Sequence, residues 1–206
     1  MNEQITVNEI FTKSRADLKG QWGSAIGIAL LYYIITGSIG LIPKVGFLEF
    51  LITGPFMLGL TFVFLNLVDK KDFGVNQLFD GFKINFGKSF LAYLLMILFV
   101  FLWALLLIIP GIIALIGYSQ TFFILAENPS IEPMEALRKS KAIMDGHKME
   151  YFMLGLALFG LFILGILTLG IAWFWLLPFA ETCKTNFYRK LVPENEIDLD
   201  YKGEAK

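Results

Sequence analysis

The stretch Leu105-Leu106-Leu107-Ile108-Ile109-Pro110-Gly111-Ile112-Ile113 lies at the middle of a run, Ser89 to Ala126, that carries no charged side chain and no histidine. As one helix that run would be about 57 Å long at ~1.5 Å per residue, nearly twice the ~30 Å apolar thickness of a bilayer. It must turn back. Proline removes a backbone donor and glycine tolerates the dihedrals of a reversal, so the break is expected at Pro110-Gly111. The resulting hairpin has arms 89–109 and 111–126.

The remaining uncharged runs build around that hairpin in the same way. A span is expected over 23–42, a return over 48–68 ending at Asp69-Lys70-Lys71-Asp72, and a final pair over 151–167 and 170–188, broken at Thr168-Leu169-Gly170. Six transmembrane helices in three hairpins follow, an all-α polytopic membrane protein. Composition agrees: of 206 residues 56% are hydrophobic and only 17% charged, too apolar for an ordinary soluble domain of this length. The net charge of −1 informs only when sorted by side of the membrane. Sixteen of the 17 Lys and Arg fall on one side of the six-span arrangement, and only Lys44 on the other. That asymmetry assigns both termini to the cytoplasm of a bacterial inner membrane. Met1-Asn2-Glu3-Gln4 has no basic region and no small-residue cleavage site follows, so the mature chain is expected to keep all its residues.

Between the spans the cytoplasmic segments are patterned. Val75, Leu78, Phe79, Phe82 and Phe86 recur at helical spacing with Asp80, Lys83 and Asn85 between them, as in a helix lying at headgroup depth over 75–86 with its aromatics inward. A second such helix over 131–145 has Ser130 as its cap, Glu132 and Glu135 early, Arg138, Lys139 and Lys141 late, and Gly146 as its end. A third covers 8–19. The first and last match without a gap: in 9–20 and 135–146 the Glu, Lys, Ser, Ala and Gly of Glu9, Lys13, Ser14, Ala16 and Gly20 recur at Glu135, Lys139, Ser140, Ala142 and Gly146. The middle copy is looser, with Gly87-Lys88 standing where Gly20 and Gly146 do. The repeat unit is thus interfacial helix, glycine hinge, outward span, tight outer turn and return, three times over in a single membrane domain, 1–192, followed by a polar tail, 193–206. Pro55, Pro110 and Pro178 recur near the outer ends or inside the returns, where they open backbone carbonyls; they either face neighbouring helices or a cavity, or simply bend helices for packing.

Signals for chemistry are sparse. One cysteine, Cys183, excludes an internal disulfide, and one histidine, His147, excludes a pair of histidine ligands. No phosphate loop, paired-carboxylate spacing or nucleophile elbow is present, so neither enzyme, cofactor nor metal is expected. Glu181 lies well inside the last span and needs a partner, which Lys184, three residues on, can provide; the pair is either neutralised at the inner boundary or a proton or substrate site. Gln120, with Ser119 and Thr121, is a second intramembrane polar point, suited to interhelical hydrogen bonding. Lys83, Lys88, Arg138, Lys139, Lys141, His147 and Lys148 form an inner basic belt beside aromatics, a candidate for anionic lipid headgroups or a consequence of topology alone.

The motifs Leu78-Phe79-Asp80-Gly81-Phe82-Lys83, Asn85-Phe86-Gly87-Lys88, Ile108-Ile109-Pro110-Gly111-Ile112 and Met144-Asp145-Gly146-His147-Lys148, with Ser140, Leu167-Thr168-Leu169-Gly170, Leu177-Pro178 and Asn186-Phe187-Tyr188, together resemble the bacterial integral membrane family catalogued as domain of unknown function 975. The likeness runs from about Leu18 to Leu191 and implies a fold without implying an activity. More distantly the hairpins resemble the membrane region attached to some bacterial glycerophosphodiester phosphodiesterases, which implies a lipid-related accessory role. In outline the three two-helix units are also similar to mitochondrial carriers, although here the interfacial helices precede the outward spans and no carrier motif is present. The expected function is that of a non-enzymatic membrane accessory protein. Its partners are membrane lipids and either a membrane protein or a second copy of itself, with no nucleic acid. A transporter or channel for a small solute or amphiphile is the alternative.

Overall fold

The computed structural model describes residues 4–40 and 46–192, and all regular structure among them is helical. In chain order α1 is Val7–Leu18, α2 Trp22–Gly40 and α3 Gly46–Val68; a short 3-10 turn, Val75–Phe79, runs into α4, Asp80–Leu106. Then come α5 Ile108–Gly117, α6 Thr121–Glu127, α7 Pro133–Ile143, α8 Lys148–Leu167 and α9 Trp173–Leu191. Lys44, its outer turn and the 193–206 tail lie outside the described residues.

The central hairpin forms, but its reversal sits at Leu107 (φ −161°, ψ 149°) and not at Pro110. The reason is positional. Proline is tolerated in a helix's first turn, where its missing N–H has no intrahelical acceptor, and Pro110 is the third residue of α5. Gly111 serves the crossing and not the turn: a Cβ there would stand 2.8 Å from the Ala104 Cβ and 2.9 Å from its Cα. Deeper in, the Phe99 and Tyr118 rings meet at 6.1 Å. The returning arm, expected as one helix over 111–126, is broken at Tyr118–Gln120. Freed backbone groups in an apolar setting need partners. Ser140 of α7 supplies them, donating its Oγ hydrogen to the Gly117 carbonyl at 2.8 Å and accepting from the Gln120 N–H at 3.1 Å.

Four helical stretches are long and apolar enough to cross a membrane: Glu49–Val68, Val75–Leu106, Ile108–Glu127 and Lys148–Leu167. The other two expected spans fall short among the described residues for different reasons. Trp22–Ser38 is apolar but shorter, while α9 carries Glu181, Lys184, Arg189 and Lys190 along its inner half. The hairpin tip and the outer end of α8 are uncovered, with Ile108 77% and Leu167 78% exposed. Apolar surface on that scale is stable against lipid and costly against water.

Neighbours around the bundle run α2–α3, α3–α4, α4–α5, α5–α8, α8–α9 and back from α9 to α2. The short elements pack on the long ones: the 78–81 turn lies on α3, α7 lies on α4 and α6 and touches α5, and α1 lies on α9. Asn186 of α9 donates to the Ser14 Oγ at 3.1 Å and to Asp17 at 2.9 Å. Ser14 and Ser140, identical positions in the sequence match, are both fully buried and both hold a returning helix.

The hinges divide. Gly20 (φ +84°) and Gly146 (φ +85°) adopt the left-handed backbone that favours glycine. Gly87 does not: it is helical, and α4 instead departs from helical geometry two residues earlier at Asn85 (φ −149°, ψ 50°), where Ser89 Oγ donates to the exposed carbonyls of Asn85 and Phe86. The turn at 168–170 falls where the sequence places it. Gly165 O accepts from the Gly170 N–H and Ile166 O from the Leu169 N–H, a helix end closed by its own backbone with Leu169 at φ +52°. Ser130 is not the cap of α7. It binds Asn128 Oδ1, and the helix starts with Pro133 behind Glu132. Of the aromatic face over 75–86, Leu78 is fully buried and Phe82 packs on Phe56 at 4.7 Å, whereas Val75 and Phe86 remain exposed. Pro55 and Pro178 are buried inside α3 and α9.

Candidate functional site

Polar chemistry concentrates at three places in the bundle. The first is an ion knot where α3, α6 and α9 end together. Arg189 of α9 donates Nε to Asp69 Oδ1 at 2.7 Å and Nη2 to Asp69 Oδ2 at 2.6 Å, a two-pronged grip, while its Nη1 binds Glu127. Glu127 also accepts from the Tyr188 hydroxyl. The Arg189, Asp69 and Glu127 side chains are 8%, 5% and 11% exposed, so the charges depend on one another more than on water. The sequence reading counted Arg189 only toward topology. The available signal was that Asp69 and Glu127 are the first charges after two long uncharged runs, both at the inner end, with a single guanidinium one turn beyond Lys184 to serve both.

The second place joins the predicted intramembrane residues. Lys184 Nζ and the Tyr33 hydroxyl both donate to Glu181 Oε1, each at 2.9 Å. Glu181 is thereby paired, as the spacing required. Gln120 is fully buried; its Nε2 donates to Ser119 Oγ at 2.8 Å, and its Oε1 has no partner among the described residues. Tyr151 of α8 connects the two groups, lying within interaction range of Ser119, Gln120, Glu181 and Lys184. Cys183 is buried in the apolar core beside them. Among the described residues no three of His, Cys, Asp or Glu converge as metal ligands.

The third is the basic belt, which divides in two. Lys88 is turned inward, donating to the Ser130 carbonyl at 2.6 Å and lying 3.4 Å from Glu132, so it ties α4 to the loop before α7. His147 Nδ1 lies 2.7 Å from Glu150, whose other oxygen accepts from the Ile5 N–H. Both thus tie separate segments of the chain together. Arg138, Lys139 and Lys141 instead lie exposed along α7, and Lys83 is exposed at the start of α4 beside Asp80. Lys148 donates to Asp145 at 2.9 Å, and that bond holds the Asp145 carboxyl below the usual carboxylate range. Gly146, at the left-handed position between Asp145 and His147, brings α7 and α8 close enough for the Lys141 and Lys148 side chains to share one edge of the molecule.

Comparison with known proteins finds one relation. A family model described as "Protein of unknown function (DUF975)" matches residues 1–117 and 104–195, nearly the whole chain. No curated protein and no solved structure matches, so the likeness to the membrane region of glycerophosphodiester phosphodiesterases has no support.

Proposed function

The chain belongs to the DUF975 family, and from that premise we propose that it is a non-enzymatic accessory protein of the bacterial inner membrane that engages anionic lipid through its cytoplasmic rim. In this reading α2 and α9 also span, giving six spans in three hairpin units with both termini inside. Two features support the three-unit reading. The neighbour order closes from α9 back to α2, and each inner helix rests on a returning helix through a buried serine or a glycine crossing. The observation that carries the function is the exposure of three cations on α7, Arg138, Lys139 and Lys141, together with that of Lys83 and the rings of Phe79 and Phe86. Cations at the edge of an apolar belt attract anionic headgroups by about 1 kcal/mol each. The paired state of Glu181 and Lys184 leaves no unneutralised charge there to mark a transport path.

Topology is checked with single-cysteine variants in a Cys183→Ser background. A membrane-impermeant maleimide added to intact spheroplasts should label Leu107→Cys and leave Lys139→Cys untouched until the cells are opened; the reverse pattern rejects the orientation. Function is checked by mixing purified protein with equal phosphatidylglycerol and phosphatidylcholine and weighing the retained lipids by native mass spectrometry. An enrichment of the anionic lipid of about fivefold or more is expected from one effective cation. Equal retention of the two lipids would remove the proposal.

A further inference from the structure

Along the α4–α5 hairpin, beside α7 and the first residue of α8, lies a cavity of about 250 Å³ whose walls are Trp103, Pro110, Ile113 and Tyr118 and one end of which is lined by Lys141 and Lys148. Its long wall is one face of α5. Pro110, Ile113, Ala114, Gly117 and Tyr118 follow the three- and four-residue spacing that places side chains in a row, about 10 Å from Pro110 to Gly117 at ~1.5 Å per residue. Tyr118 is buried, while Ile113 and Trp103 stay 49% and 43% exposed among the described residues. At the lysine end Gly117 has no side chain, and the Lys141 stem crosses it, with its Cγ 3.9 Å from where a Cβ would stand. Lys141 thereby lines that end of the groove. Lys148 arrives from the first residue of α8. Asp145 binds the Lys148 ammonium, whereas Lys141 makes no hydrogen bond or ion pair among the described residues and has Asp145 only in its wider field.

We propose that this groove is the binding site of a single anionic phospholipid, its phosphate between Lys141 and Lys148 and one acyl chain laid along α5 toward Pro110. The inference rests on the lipid-engaging reading above and gives it a place. Two features favour a lipid over a protein helix as occupant. The floor is apolar for the length of the groove, and the charge is confined to one end of it. Lysine is suited to this work as a compact charge on a stem that lies along apolar surface.

The test uses the full-length protein in detergent with equal phosphatidylglycerol and phosphatidylcholine, read by native mass spectrometry. Removing both charges, Lys141→Gln with Lys148→Gln, should lower bound phosphatidylglycerol about twentyfold, near fivefold per lysine at ~1 kcal/mol per cation, and leave phosphatidylcholine unchanged. Ala114→Phe, which fills the groove and keeps both lysines, should lower it as well. The pair Lys13→Gln with Lys19→Gln, exposed lysines of the α1 region that belong to neither the groove nor the belt, should change it less than twofold. An equal loss from that second pair would make the attraction diffuse, overturning the groove while sparing the wider reading; no lipid preference in the unaltered protein would remove both. Full retention in Ala114→Phe, or loss of a dimer there without loss of lipid, would assign the groove to something other than a lipid and overturn the proposal.

Discussion

Arg189→Met should cost about 3–5 kcal/mol of stability, the usual consequence of removing one partner from a buried ion cluster and leaving the others uncompensated. Two carboxylates, Asp69 and Glu127, then face each other with 5% and 11% exposure and no guanidinium between them. Lys71 lies 3.5 Å from Asp69 but is half exposed, so it offsets little of the repulsion. For a chain of about 200 residues this corresponds to a fall of roughly 10 °C in the thermal midpoint of the detergent-solubilised protein. Arg189→Lys should fall between the two, because an ammonium cannot grip Asp69 with two parallel bonds and reach Glu127 at once. Adding Asp69→Asn and Glu127→Gln to Arg189→Met should recover much of the loss, since the penalty lies in the stranded charges more than in the missing attraction. A midpoint within two degrees of the parent for Arg189→Met would show that the knot is solvated and holds nothing. The expected result matters because the knot is where three helices from different parts of the chain are pinned together.

That knot also marks the boundary of what linear order reveals. Local geometry was legible wherever it depends on neighbours in sequence: Gly20 and Gly146 take left-handed dihedrals, and the 168–170 turn follows from a run too long for one span. Glu181 and Lys184 pair because three residues bring them to one helical face. Where a residue's role depends on a distant strand of chain, the same reasoning fell short. Pro110 signalled a break correctly but was displaced into the first turn of α5 by the crossing of Gly111 over Ala104. Gly87 lost the hinge to Asn85, whose side chain is drawn to the Pro129 carbonyl 44 positions away. Lys88, a headgroup candidate by sequence, also donates to the carbonyls of that loop, a contact its neighbours in sequence do not reveal. Periodicity and charge counting describe faces and sides, whereas pairings such as Arg189 with both Asp69 and Glu127 require the bundle to be closed first.

The packing of α3 against α4 and the turn before it rests on glycines, and the same substitution should have opposite signs at one of these and at an unpacked glycine elsewhere. At Gly59 an added Cβ would stand 1.9 Å from the Leu78 carbonyl oxygen, 2.5 Å from its carbon and 3.0 Å from its Cα. All three are backbone atoms, so no rotamer change relieves the clash. The crossing is reciprocated: a Cβ on Gly81 would meet Pro55 O at 2.0 Å, and one on Gly54 would meet Ser89 O at 2.5 Å. Restoring ordinary contact for Gly59→Ala requires the 78–81 turn to move off α3, which pulls the fully buried Leu78 from the core and breaks the other two approaches together. Overpacking usually costs 1–3 kcal/mol, and with the contact set by backbone on both sides the top of that range, about 3 kcal/mol, is expected. Gly155, by contrast, sits mid-α8 with nothing within 4 Å of its added Cβ. There alanine only restricts the unfolded chain and favours the helix, a gain of up to about 1 kcal/mol. Parallel thermal scans of the two variants should therefore bracket the parent, Gly59→Ala well below and Gly155→Ala level or above. If Gly59→Ala unfolds with the parent, the inner turn is not seated against α3. The placement of Lys83 and Phe86 at the rim, which α3 holds through that turn, would then lose its physical basis.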